Sequence, residues 1–407
     1  MVEKQGSVMG GMLLIAGSCI GAGMLGLPIL TGLCGFFPSV ALFVIAWAFM
    51  TATALLLVEA TGWFPKKVNL LSITSYSLGP LGKAVCWVTY LFLFYALLVA
   101  YISGIGSLCK TFMEGSLHVA FPSWLGSLLF VCLFGWIIYL GTRRVDFFNR
   151  GLMVGKIGFF ILLIAVGVFY MEPSLLLRAD PKYGAAALPL LVIAFGFHNM
   201  IPSLTSYLGG DLKRVRFTII GGSLGALVIY LIWEIVVLGI VPLYGDQGLL
   251  ASLSRDREAS QAIAALVDSA WVDLFSQGLA FFALLTSFLA QSLSLVHFLA
   301  DGLKVNYKKQ ESVLLCALAL MPPLILALIY PQLFFKALNF AGGVCAVVLF
   351  GILPVLMVWK GRYKMPPRIT YQMKGGKLAL ILILIFAVVT LCTQLGSMFG
   401  FSYLKGV

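Results

Sequence analysis

Eleven apolar stretches, each long enough to cross a lipid bilayer, occupy most of this 407-residue chain. They run over 8–31, 36–60, 83–109, 123–141, 150–171, 187–208, 217–243, 271–300, 312–330, 333–359 and 377–400. A helix needs about 20 apolar residues to cross the hydrocarbon core. Open strands leave their backbone groups unsatisfied in lipid, so each stretch is predicted as a helix, span 1 to span 11. The expected fold class is an all-α polytopic membrane protein. Composition agrees, since only 10% of residues are charged where soluble domains average about 25%. No cleavable leader is expected, because "MVEKQGSVMGGMLL" lacks a small-residue cleavage site after its first apolar run.

The net charge of +12 is explained by its placement. With the N-terminus in the cytoplasm, the cytoplasmic segments carry nineteen Lys and Arg and the external ones seven. That asymmetry fixes the orientation, and the odd number of spans puts the C-terminus outside. No nucleic-acid partner is needed to account for the charge, and no obligate protein partner is predicted. The eight cysteines form no C-x-x-C pair and read as small buried apolar residues. The longest external connection, 244–270, reads either as a short amphipathic helix over a central site or as a solvated loop.

Two spans are poor helices. Span 1 contains "IAGSCIGAG" with Gly17, Gly21 and Gly23, then Pro28. Span 6 contains "FGFHNMIPS", with a glycine, His198, Asn199 and Pro202 at its centre. Glycine weakens a helix interior by roughly 1 kcal/mol and proline by about 3. "GAGMLG" matches a dinucleotide fingerprint, but no strand precedes it and the next acid is Glu59, so that reading fails. Gly17 and Gly21 also fit the G-x-x-x-G packing motif. Interrupted spans at matching places in two halves point instead to a solute site at mid-membrane. The halves are drawn as 8–171 and 187–359, five spans each and therefore inverted, with 377–400 as an extra helix.

"IAGSCIGAGMLGLP", "AFGFHNMIPSLTSYLGGD" and "LVIYLIWEIVVLGIVP" together resemble the hydroxy and aromatic amino acid permease family, most closely its bacterial tyrosine and tryptophan branch. The resemblance implies secondary active uptake of an amino acid, usually with protons, in the bacterial cytoplasmic (inner) membrane. It also implies the LeuT-type 5+5 inverted-repeat fold with helices 1 and 6 broken. Cys19 stands where a hydroxyl residue is more usual in that family. Serine or threonine is the alternative substrate, and sodium the alternative coupling ion. No cofactor is expected, and neither an enzyme motif nor a continuous polar channel lining is visible.

A zwitterion cannot be buried with its charges unpaired. Amides of Gly21, Ala22 and Gly23 at the start of a half-helix are expected to hold the carboxylate. Carbonyls near Ile20, Phe195 and Gly196 are expected to accept from the ammonium. Phe195, Phe197, Tyr95 and Tyr101 are candidates for an apolar slot, and His198 and Asn199 for recognition of a phenolic hydroxyl. For coupling, Thr286 and Ser287 resemble the hydroxyl pair of sodium-coupled relatives, together with carbonyls near Gly17 and Ile20. Lys156 lies about 10 Å into span 5 at 1.5 Å per residue, where its ammonium would fill that cation position itself. Glu59 and Glu234 are the remaining intramembrane acids, read either as structural groups or as proton relays.

Overall fold

A computed structural model describes residues 6–64, 68–116, 118–303, 309–365 and 371–399. Lys4, Lys66, Lys67, Lys304, Lys308, Arg368 and Lys405 of the charge count, and the C-terminal residues 400–407, lie outside the described residues. Among those described, all regular structure is helical apart from one isolated bridge between Gly35 and Ala179. Eight helices are long and apolar enough to cross a membrane, and nine spans result if the bent pair Val8–Cys19 and Ala22–Cys34 is one. Expected spans 4 and 9 correspond to Ser123–Tyr139 and Val313–Ile329, which are apolar but shorter.

Span 1 is two helices, Val8–Cys19 (1a) and Ala22–Thr31 (1b), bent by 59° at the break. Span 2 is Phe36–Thr61. Span 3 lies in a helix that starts earlier than its apolar run, at Leu70, and ends at Ser116. Asn69 starts it, its Oδ1 accepting from the Ser72 amide at 2.8 Å. Gly79 then turns the chain with φ of 83° ahead of Pro80, a conformation that a side chain disfavours. Span 5 falls in Thr142–Gly167. Span 6 is again divided, into Leu188–Ala194 (6a) and Ile201–Tyr207 (6b), with a 3-10 turn His198–Met200 between them. Span 7 is Leu212–Ile240 and span 8 Ala270–Leu303.

Connection 244–270 forms two short helices, Leu249–Ser254 and Ala259–Leu266. Both pack on span 1b, so this connection is an ordered cover rather than a free loop. Span 10 departs from any expectation. Its central stretch Ala341–Ile352 is a π-helix between the α-helices Phe334–Phe340 and Leu353–Tyr363. Such helices are rare and concentrate at functional sites. Gly342 sits there against span 6a. A Cβ on it would lie 1.8 Å from the Pro189 carbonyl oxygen, so only glycine permits the approach.

Span 5 packs along span 8 and span 1a along span 7. On adding or subtracting five, these contacts become span 10 on span 3 and span 6 on span 2, and both occur. Spans 2 and 7 pack on each other, as do 3 and 8. The two breaks lie side by side at the centre: a Cβ on Gly23 would meet the Ala194 Cα at 3.9 Å.

Candidate functional site

The break in span 1 frees backbone groups that neighbouring spans then satisfy. Helix 1a ends at Cys19, and Ile20 and Gly21 lie between the two halves. Lys156 reaches in from span 5 and donates from Nζ to the Ile20 carbonyl at 2.5 Å. The same ammonium donates to Thr286 Oγ1 of span 8 at 3.5 Å. Thr286 passes its own proton to the Ala283 carbonyl at 3.2 Å, which leaves an oxygen lone pair facing the lysine. Lys156 is 2% exposed and makes no ion pair with a carboxylate among the described residues.

On the other side of the break, Ser287 Oγ accepts from the Ala22 amide at 3.0 Å. It thereby caps the N-terminus of helix 1b, the place where an anionic group is favoured. A Cβ on Gly21 would lie 2.7 Å from this oxygen, so the close approach depends on glycine. The Tyr101 side chain of span 3, itself buried, lies beside Ser287. Ile20, Gly21, Ala22, Tyr101, Lys156, Thr286 and Ser287 are therefore brought together by spans 1, 3, 5 and 8.

The break in span 6 is lined differently. Phe195 and Phe197 are fully buried. Phe195 meets the Tyr230 ring edge to face, at 5.1 Å and 70°. Phe197 stacks on His198 at 5.2 Å. The imidazole lies in turn on Phe350 of the π-helix, at 4.8 Å and 14°, and its Nε2 is 2.8 Å from Thr53 Oγ1 of span 2. The Phe195 carbonyl accepts from the Phe197 amide at 3.1 Å.

Several predicted residues lie elsewhere. Asn199 is exposed while its neighbour His198 in the 3-10 turn is buried. Tyr95 faces span 9 and donates to the Leu318 carbonyl at 2.8 Å. Gly17 faces Met153 of span 5. Glu59 is paired with Arg362 at the far end of span 10, at 2.5 Å, and its Oε2 also accepts from the Met373 amide at 2.8 Å. These groups tie Arg362 and Met373 to span 2. Glu234 lies in span 7 beside helix 1b, where its Oε1 accepts from Thr31 Oγ1 at 2.7 Å.

Sequence reasoning missed Tyr230. Its hydroxyl donates to the Cys19 carbonyl at 2.6 Å and the Ala194 carbonyl at 2.7 Å, one at each break. One turn along, Trp233 Nε1 donates to the Met24 carbonyl at 3.1 Å. The only signal in the sequence is the spacing of Tyr230, Trp233 and Glu234 on one helical face. A cavity of about 290 Å³ opens near the two short helices, lined by Leu30, Pro189, Asp256, Phe335, Asn339 and Gln394 among others. None of its lining residues belongs to either break.

Comparison with known proteins agrees with this architecture. The tyrosine-specific transport system 1 of Haemophilus influenzae is 34% identical over 391 residues, covering 93% of this chain and 94% of that protein. A tryptophan-specific transport protein of Pseudomonas aeruginosa is 30% identical over 392 residues, covering 95% and 94%. The solved structure of MhsT in complex with L-phenylalanine superposes with a TM-score of 0.61 at 15% identity, over 97% of this chain and 99% of that one. The fold is thus of the LeuT type, with helices 1 and 6 broken at its centre. The family model for tryptophan/tyrosine permeases matches residues 4–394, and the chain belongs to that family of membrane permeases, which are not enzymes.

Proposed function

We propose that this permease imports an aromatic amino acid, tyrosine, across the bacterial cytoplasmic membrane by proton symport with alternating access. The observation that carries the coupling is the Lys156 ammonium seated on the Ile20 carbonyl at 2.5 Å. A buried cation with hydroxyl and carbonyl partners, and no carboxylate among the described residues, can be discharged by losing a proton, which releases its hold on the break. That cycle takes the place of sodium binding and release at the Thr286–Ile20 position. Glu234, buried beside helix 1b, is a secondary relay in this scheme.

The substrate carboxylate takes the amides of Gly21, Ala22 and Gly23, displacing the Ser287 hydroxyl that now caps Ala22. The substrate ring occupies the slot between Tyr101, Phe195 and Phe197. Tyrosine is preferred because a tyrosine-specific relative reaches 34% identity, and an aromatic ligand also suits the neighbour that holds L-phenylalanine. The N-terminus faces the cytoplasm and the C-terminus the outside, as the nineteen-to-seven distribution of basic residues requires.

The test is uptake into proteoliposomes with imposed proton or sodium gradients, against tyrosine, tryptophan, phenylalanine, serine and threonine. Accumulation of labelled tyrosine driven by the proton gradient alone is expected, with weak competition by serine and threonine. Accumulation that requires sodium overturns the coupling. Serine outcompeting tyrosine overturns the substrate assignment.

A further inference from the structure

We propose that Tyr230 is a positioning residue whose hydroxyl ties the break of span 1 to the break of span 6 and keeps the two in register. A phenol carries one proton, yet two carbonyl oxygens from different broken spans lie 2.6 and 2.7 Å from it. The Cys19 carbonyl keeps only a tight-turn bond from the Gly21 amide at 2.8 Å, and the Ala194 carbonyl stands at the end of helix 6a, where a buried acceptor left without a donor is costly. The shared proton reaches both only while Cys19 and Ala194 stay close together. Sliding of one broken span past the other must part this bridge.

The ring cannot follow such a movement freely. Tyr230 is fully buried, with Phe195 on one face at 5.1 Å and Phe43 at 6.1 Å. Trp233 adds a second hook, to Met24 on the far side of the break. Span 7 therefore grips span 1 on both sides of its bend and span 6 at one point, through two side chains a single turn apart. The hydroxyl stabilises the arrangement seen here relative to any in which the breaks separate.

Cys19, whose carbonyl is one end of the bridge, provides the reporter, since its side chain is 4% exposed. In protein retaining Cys19 as its only cysteine, Tyr230→Phe keeps the ring and deletes the bridge. The alkylation rate of Cys19 by N-ethylmaleimide is expected to rise about fivefold, the equivalent of one hydrogen bond. The KM for tyrosine is expected to rise by a similar factor, with a small fall in the thermal midpoint from the lost hydrogen bond. Either readout staying at its unsubstituted value overturns the proposal. Should Tyr230→Phe not yield a folded particle, Trp233→Phe removes the hook to Met24 and leaves the bridge. A roughly twofold increase in Cys19 alkylation is then expected, and none overturns the grip. The alkylation measurement needs no substrate, so it stands apart from failure of the tyrosine assignment.

Discussion

The two breaks share a purpose in the backbone and differ in what surrounds them. At span 1 the freed groups meet a charge and two hydroxyls, Lys156, Thr286 and Ser287, supplied by spans 5 and 8. At span 6 the freed Ala194 carbonyl meets only the Tyr230 hydroxyl that the two breaks share, and the side chains around the break are rings, Phe195, Phe197, His198 and Phe350, with an imidazole contact to Thr53. A charge near an unwound backbone responds to protonation and to a ligand's own charges. A ring stack responds to shape. Under the function proposed above, the pairing would divide the work of the permease, with the ionic event on one side and side-chain discrimination on the other.

That division can be broken from the ionic side first. Lys156→Met is expected to abolish proton-driven accumulation, a loss of ~100-fold or more in the uphill concentration ratio, while tyrosine exchange at equal pH persists. Uptake against imposed gradients measures it. On the aromatic side, His198→Phe keeps a ring against Phe350 but loses the contact to Thr53. Coupling should remain while the KM rises by roughly tenfold, the scale of one buried hydrogen bond. Coupling lost in His198→Phe would erase the distinction between the breaks.

A smaller effect is expected from Ser287→Ala, which uncaps helix 1b at a cost of about 1 kcal/mol. Differential scanning fluorimetry without substrate should show the loss, and saturating tyrosine should largely restore the midpoint, because the substrate carboxylate supplies the cap. The smallest effect concerns the covering helix Ala259–Leu266, which rests on span 1b. Burial pushes Glu258 at its start up to about 7, against hydrogen bonds donated by Ser260 and Gln261 that pull the other way. The docked helix therefore favours the protonated acid, whereas the undocked one ionises above the usual glutamate range. Docking is strongest below about pH 4.5 and weakens as pH rises toward about 7. Amide exchange over 259–266, corrected for intrinsic rates, should be faster at pH 8 than at pH 5, and Glu258→Gln should flatten the difference.

Much of this was legible from the chain alone, for physical reasons. Glycine and proline in an apolar run announce where a membrane helix stops, so both breaks could be placed to within a few residues. An ammonium in such a run has few partners available, so Lys156 could be set against carbonyls near Gly17 and Ile20 and the hydroxyls of Thr286 and Ser287; it reaches Ile20 and Thr286, while Gly17 faces Met153 and Ser287 caps Ala22. The directions of Asn199, Tyr95 and Glu59 could not be read. The 3-10 turn at His198–Met200 resets the helical register, so counting along the flanking helices does not tell which side chain there is buried. A tyrosine or glutamate in a long helix has several faces to choose from until its neighbours are known. Tyr230 looked like any aromatic residue of a membrane span, because its meaning lies in two carbonyls far apart in sequence. The π-helix of span 10 carries no proline and no polar residue to mark it.

Where Gly342 meets Pro189, spans 6 and 10 touch backbone to backbone. A contact between side chains can be retuned by turning a rotamer, but this one has no rotamer to turn. It behaves as a bearing without clearance: the two spans travel together or come apart, and no intermediate adjustment is open to them. Whatever rearrangement carries solute past the break of span 6 must therefore either take the middle of span 10 along or lift it away.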